Sequence, residues 1–187
     1  MNIKKLILFI TIITLSLGLI ACSSVKSKLM KARESALNGE ISNDNKIGNA
    51  RIKKIIECLE SNDKKGLKKM FFPKALKEAK DIDGGIDYIM EFYKGKMKSS
   101  DEGTIVTEDS VEDGEKKSEL DCRYIVTTDK DTYIVFFIEK TVDTKNADNV
   151  GLYMLQIIKE SDREKEFDGG GKKTRCAGIY RPATVKK

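Results

Sequence analysis

The chain has no histidine and no tryptophan, only two prolines, and four cysteines of which no two stand in a C-x-x-C spacing. Without histidine, the Ser–His–Asp and Cys–His arrangements that activate a nucleophile are excluded. A zinc site would have to be built from cysteines and carboxylates alone, and the cysteine spacing does not supply one. Charge of one sign is also lacking. A formal net charge of +5 on a chain in which 35% of residues are charged describes a solvated exterior, not a nucleic-acid-binding surface. The longest apolar run, residues 6–21, is 16 residues long, short of the roughly 20 that cross a bilayer as a helix.

That run is nevertheless informative. It follows a basic start, Met1-Asn2-Ile3-Lys4-Lys5, and ends in Leu19-Ile20-Ala21-Cys22-Ser23-Ser24. A charged start, a short apolar middle and small residues at the end have the form of an export signal. The ending resembles the lipobox of bacterial lipoproteins. That resemblance implies cleavage before Cys22, acylation of its thiol, and a lipid anchor on the extracytoplasmic face of the cell membrane. Two acyl chains anchor stably where one binds only marginally. The expected organisation is a signal peptide over 1–21, a polar tether over 22–45 carrying Lys26, Lys28, Lys31 and Arg33, and a single domain over 46–187. The mature chain would have 187 − 21 = 166 residues.

With Cys22 taken by lipid, Cys58, Cys122 and Cys176 remain. Three is odd, so at most one internal bridge can form. Two readings stay open: three free thiols, or one bridge between Cys122 and Cys176, which an oxidising compartment permits.

Periodicity divides the domain in two. Ile52, Ile55, Ile56 and Leu59 recur at helical spacing and predict a helix over 47–61. Ser61-Asn62-Asp63 breaks it and caps a second helix over 63–72, which Pro73 restarts as a further turn through Ala79. Asp81-Ile82-Asp83-Gly84-Gly85 leads into a third helix over 83–94. After Gly95 the period becomes two. Strands are expected over 104–108, 118–128, 132–142 and 150–159, with 109–117 as an acidic turn. The third strand, through Tyr133-Ile134-Val135-Phe136-Phe137-Ile138, is apolar on both faces at its middle, which implies a central strand or one lining a cavity. Residues 160–175 carry Gly169-Gly170-Gly171 and are expected to form a flexible loop. Gly178-Ile179-Tyr180-Arg181-Pro182 is expected to dock on the core. Helices followed by an antiparallel meander define an α+β fold.

This order, with Asp63 leading through Leu67 to Met70-Phe71, resembles the NTF2-like (cystatin-like) superfamily. The resemblance implies N-terminal helices packed on a curved, cone-shaped antiparallel sheet of four or more strands. Residues 86–95, Val126-Thr127-Thr128, Tyr133, Gly151-Leu152 and Gly178-Ile179-Tyr180 also resemble a family of uncharacterised Firmicutes lipoproteins built on a domain of unknown function. Neither resemblance carries a catalytic motif.

Two apparent motifs fail on inspection. Asp81-x-Asp83-x-x-x-Asp87 has Ile86 and Phe92 where a calcium loop needs Gly and Glu, so the acids read as helix-start residues and no metal is expected. Gly169-Gly170-Gly171-Lys172-Lys173-Thr174 lacks the spacing of a phosphate loop. The candidate site is aromatic. In an NTF2-like cone Tyr88, Phe92, Tyr93, Tyr124, Tyr133, Phe137 and Tyr153 would line the space between helices and sheet, as core or as pocket walls. Asp87 or Glu91 would supply a carboxylate. The sequence therefore predicts a lipid-anchored, non-catalytic module that binds a small ligand or an envelope protein, needs no cofactor, does not bind nucleic acid, and pairs into a homodimer as sheets of this kind often do. The alternative is an isomerase or hydrolase that uses a carboxylate and a tyrosine inside the cone.

Overall fold

The computed structural model describes residues 3–182, with side chains from Met30 onward except those of residues 32 and 37. The expected signal segment 1–21 and Cys22 lie outside the described side chains. The chain divides into two units, Met1–Asn43 and Asp44–Lys187. In the first, the described backbone is helical and every described side chain from Met30 to Asn43 is exposed. The second holds the core.

Helix α1 runs Ile3–Ser61, well beyond the 47–61 expected. Residues 26–41 are rich in Lys, Ala, Glu and Leu, good helix formers with no proline among them, so nothing interrupts the helix before Ser61-Asn62. Asn62 stops it by turning left-handed at φ +54°. Asp63 then caps α2 (Lys64–Met70) by accepting the Gly66 N–H at 2.8 Å. Pro73 opens α3 (Pro73–Glu78) at a position where its missing N–H costs nothing. Asp81 caps α4 (Ile82–Phe92), accepting the Gly84 N–H at 2.9 Å. Asp81 and Asp83 thus stand at the helix start as expected, whereas Asp87 lies in the second turn.

Six strands follow: β1 (Met97–Ser100), β2 (Thr104–Glu112), β3 (Glu115–Thr128), β4 (Thr132–Asp143), β5 (Gly151–Lys159) and β6 (Gly178–Ile179). They form one open sheet in the order β1-β3-β4-β5-β6, with β2 also on β3. Neighbours are antiparallel except β6, which lies parallel to β5 after the chain returns through α5 (Arg163–Glu166). The sheet is thus mixed, not purely antiparallel. The residues read as an acidic turn are mostly strand. β2 and β3 meet in a tight hairpin whose central pair, Asp113 and Gly114, has φ +51° and +81°. An Asp-Gly pair in that conformation matches the right-handed twist of flanking strands.

β1 and β2 lie end to end along the same edge of β3. β1 pairs with 126–128 and β2 with 115–123. Between them Asp101 substitutes for a strand residue: its N–H donates to Ile125 O at 3.1 Å and its carboxylate accepts the Ile125 N–H at 2.8 Å. Gly103, at φ +77°, lets the chain pass Tyr124. A Cβ there would stand 2.4 Å from the ring.

The sheet is covered on both faces. On the helix face Leu120, Cys122, Tyr124 and Val126 of β3, with Tyr133, Val135 and Phe137 of β4, pack on Ile52, Ile55, Ile56, Leu67 and Ile89. Each such side chain taken from water contributes about 1.5–3 kcal/mol. On the opposite face Phe136, Ile138 and Met154 lie under Phe167 and Tyr180 of the C-terminal segment. β4 is therefore the central, doubly buried strand its composition predicts.

Candidate functional site

Of the two roles open to the aromatic residues, core and pocket wall, most take the first and pack on one another between helices and sheet. Tyr88 and Phe92 stack at 5.5 Å, Phe92 meets the edge of Tyr133 at 5.9 Å, and Tyr93 lies 5.0 Å from Tyr133. Tyr124 and Phe137 form a second stack at 6.0 Å. Tyr93, Tyr124, Tyr133 and Phe137 are buried. Two hydroxyls are used structurally: Tyr133 accepts the Lys94 N–H at 3.0 Å, and Tyr124 donates to Asn49 Oδ1 at 2.9 Å. Burial pushes the Tyr93 and Tyr124 hydroxyls well above the ordinary phenol range. Tyr153 stands apart, stacked on Phe72 at 6.1 Å with Lys140 Nζ 4.9 Å and Arg175 5.8 Å from its ring.

The two carboxylates expected beside these rings, Asp87 and Glu91, are not among them. Asp87 and Glu91 are exposed on the outer side of α4. Asp87 accepts from Lys64 Nζ at 2.8 Å, and Asp83 similarly from Lys68 at 2.7 Å. The helical period that turns Ile86 and Ile89 inward turns Asp87 outward. Of the two readings open for the cysteines, the structure has free thiols at Cys58, Cys122 and Cys176 and no Cys122–Cys176 bridge. Cys122 is buried on the helix face of β3, close to where Gly48 of α1 passes, whereas Cys176 lies in the loop before β6 beside Ala79 and Lys80. Burial pushes the Cys122 thiol up to about 12, so it is inert as a nucleophile. Gly169-Gly170-Gly171 belongs to a turn organised by Asp168, which accepts the Gly171 and Lys173 N–H groups and the Thr174 hydroxyl.

The helix face carries an ion pair the sequence reading missed. Arg51 of α1 donates to Glu139 of β4, whose side chain is 5% exposed. The other carboxylate oxygen of Glu139 has no partner among the described residues. Burial raises the Glu139 carboxyl, and Arg51 opposes the rise. The signal was available: Glu139 continues the inward period of Tyr133, Val135 and Phe137.

A cleft of about 650 Å³ lies between the C-terminal part of α1 and the β1–β2 junction. Ile52, Ile56, Met97 and Tyr124 make its apolar floor. Asn45, Asn49 and Lys53 line one wall, and Ser100, Asp101 and Glu102 the other. Its polar groups come from opposite walls and differ in charge. Such an arrangement can hold a molecule by apolar contact and orient it by polar contacts at either end. Sequence reading missed this site apart from Tyr124, because β1 is polar, exposed and without alternation.

A second opening, about 370 Å³, lies on the opposite face. Thr104, Val106 and Glu108 of β2 line it with Asp121, Arg123, Phe136, Phe167 and Gly169. Asp121 Oδ1 is inaccessible to solvent and has no partner among the described residues. Burial, reinforced by Glu119 and Glu108 and opposed by Arg175, pushes the Asp121 carboxyl up to about 6.

Among the described residues no helix is long and apolar enough to cross a membrane. A family described as a domain of unknown function, DUF5104, matches residues 54–160. No curated protein matches the chain. The match takes in more than half of the sequence, from the last turns of α1 to the end of β5, and the chain belongs to that family.

Proposed function

We propose that this member of the DUF5104 family is a lipoprotein anchored through Cys22 on the extracytoplasmic face of the membrane, and that its domain is an NTF2-like, non-catalytic binding module. The cleft between α1 and the β1–β2 junction is its recognition site. One observation carries this reading: the space where a cone would enclose a ligand is occupied by interlocked Tyr88, Phe92, Tyr93 and Tyr133, while an open cleft with an apolar floor and charged walls lies beside it. The carboxylate–tyrosine chemistry of an enclosed isomerase gains no support, because Asp87 and Glu91 sit on the exposed side of α4. The reading of an export leader supports the anchor. Its short apolar run and Ala21-Cys22 boundary have the form that lipid attachment requires.

The test is a fragment titration of the isotope-labelled chain followed by amide chemical shifts. Binding at the proposed site moves Asn49, Lys53, Ser100 and Glu102, and Lys53→Glu abolishes the response. Fragments that move only Tyr133 and Phe92 would place recognition in the interior and overturn the reading. Mass spectrometry of the native N-terminus tests the anchor: a diacylated Cys22 is expected, and an unmodified Cys22 refutes it.

A further inference from the structure

The outer edge of β2 is the least explained part of the domain. Among the described residues β2 pairs with β3 alone, so nine residues of strand present an unpaired edge. Val106 and Val111 are 52% and 71% exposed. Exposed strand edges invite pairing, and proteins usually guard them with lysine, proline or a bulge. This edge has none of these: its pairing with β3 is continuous from Thr104 to Glu112. Its charges are Glu108, Asp109 and Glu112, and residues 101–115 as a whole contain seven acids and no Lys or Arg.

That pattern discriminates between occupants. A second copy pairing antiparallel along β2 would bring two acidic strands together, setting Glu108 against Asp109 in one register and against Glu112 in another, and like charges opposite one another on a sheet are destabilising. A basic strand would meet complementary charge along the same edge. The opening on the opposite face adds an independent feature. Thr104, Val106 and Glu108, alternate residues of β2, form one side of it. Val106 stands in register with Asp121 of β3. A strand added to β2 would lie about two strand spacings, roughly 10 Å, from Asp121. A lysine or arginine on it would pass over Val106 toward Glu108 and the unpartnered Asp121 oxygen, beside the touching rings of Phe136 and Phe167 and the Arg123 guanidinium that donates to Thr104.

We propose that β2 is a docking edge for an extended, lysine- or arginine-rich segment of a partner protein. The segment adds as a strand and places one basic side chain in the pocket formed by Glu108, Asp121, Phe136 and Phe167. Main-chain pairing would supply the affinity, and the pocket would select the basic side chain. The site lies on the opposite face from the α1 cleft and does not depend on it.

The experiment uses the full chain in detergent micelles and three nonapeptides: one alternating Lys with Thr and Val, its Glu-for-Lys counterpart, and the Lys peptide with proline at every third position. Calorimetry should detect the Lys peptide and neither of the others. Amide exchange should slow along β2 and remain unchanged around Asn49 and Lys53. Asp121→Asn and Glu108→Gln should each weaken the Lys peptide by about tenfold, as expected when one partner of a desolvated charge pair is lost. Lys53→Glu should leave it unaltered. Equal binding of the proline-interrupted peptide, or of spermidine, would reduce the site to general charge attraction and overturn the proposal. Self-association of the chain through β2, seen by sedimentation and removed by Val106→Lys, would overturn it in favour of a second copy.

Discussion

The two faces of the sheet are covered in different ways. On the helix face, α1, α2 and α4 lay down apolar stripes at helical spacing, and the rings of Tyr88, Phe92, Tyr93, Tyr133, Tyr124 and Phe137 interlock beneath them. On the opposite face the cover is a four-residue helix and turns, with Phe167 and Tyr180 as its apolar contacts. Periodic elements can close-pack a face, whereas irregular segments leave openings between their few anchors. The opposite face accordingly keeps a pocket with an unpaired carboxylate oxygen. On the helix face the cleft lies at the rim, where β1 breaks into β2.

This contrast can be sharpened by substitutions, beginning with the largest effect. Phe137→Ala removes a fully buried ring from the helix face and should cost about 4 kcal/mol in urea unfolding. Arg51→Met strands the buried Glu139 charge and should cost about 3 kcal/mol, most of it recovered when Glu139→Gln is added. A double variant no more stable than Arg51→Met alone would show that the pair is not the source of the loss.

The opposite face should respond to pH. The folded Asp121 carboxyl titrates near 6, above its ordinary value of about 3.9, so the fold favours its neutral form. That contribution is complete below about pH 4 and is lost as pH rises toward 6. Asp121→Asn should therefore raise Tm at pH 8 and leave it nearly unchanged at pH 4. The smallest effect is on the outer side of α4. Asp87→Asn breaks an exposed pair with Lys64 and should change stability by less than about 0.5 kcal/mol.

The same contrast explains what could be read from the chain. Helical spacing of Ile52, Ile55, Ile56 and Leu59 and alternation through 118–128 located the helix face, because each element carries its own period. The doubly apolar run of β4 announced a central strand. β1 went unseen because Met97-Lys98-Ser99-Ser100 has no period at all. β2 was underestimated because its acids are poor strand formers, although Asp113-Gly114 marks the hairpin that extends it. The aromatics leave core and pocket wall both open in the sequence, since spacing shows which residues turn inward and not whether they leave room between them. Asn49 and Asp121 escaped notice because their significance comes from pairs brought together by folding, Asn49 with Tyr124 and Asp121 with Val106.

The account rests on a filled interior and recognition at the surface. Aromatic and amide resonances of the labelled chain, followed together through a fragment titration, test this most directly. The account predicts shifts at Asn49, Lys53, Ser100 and Glu102 while the rings of Phe92, Tyr133 and Phe137 stay still. Shifts confined to those rings, with the cleft amides unmoved, would contradict it.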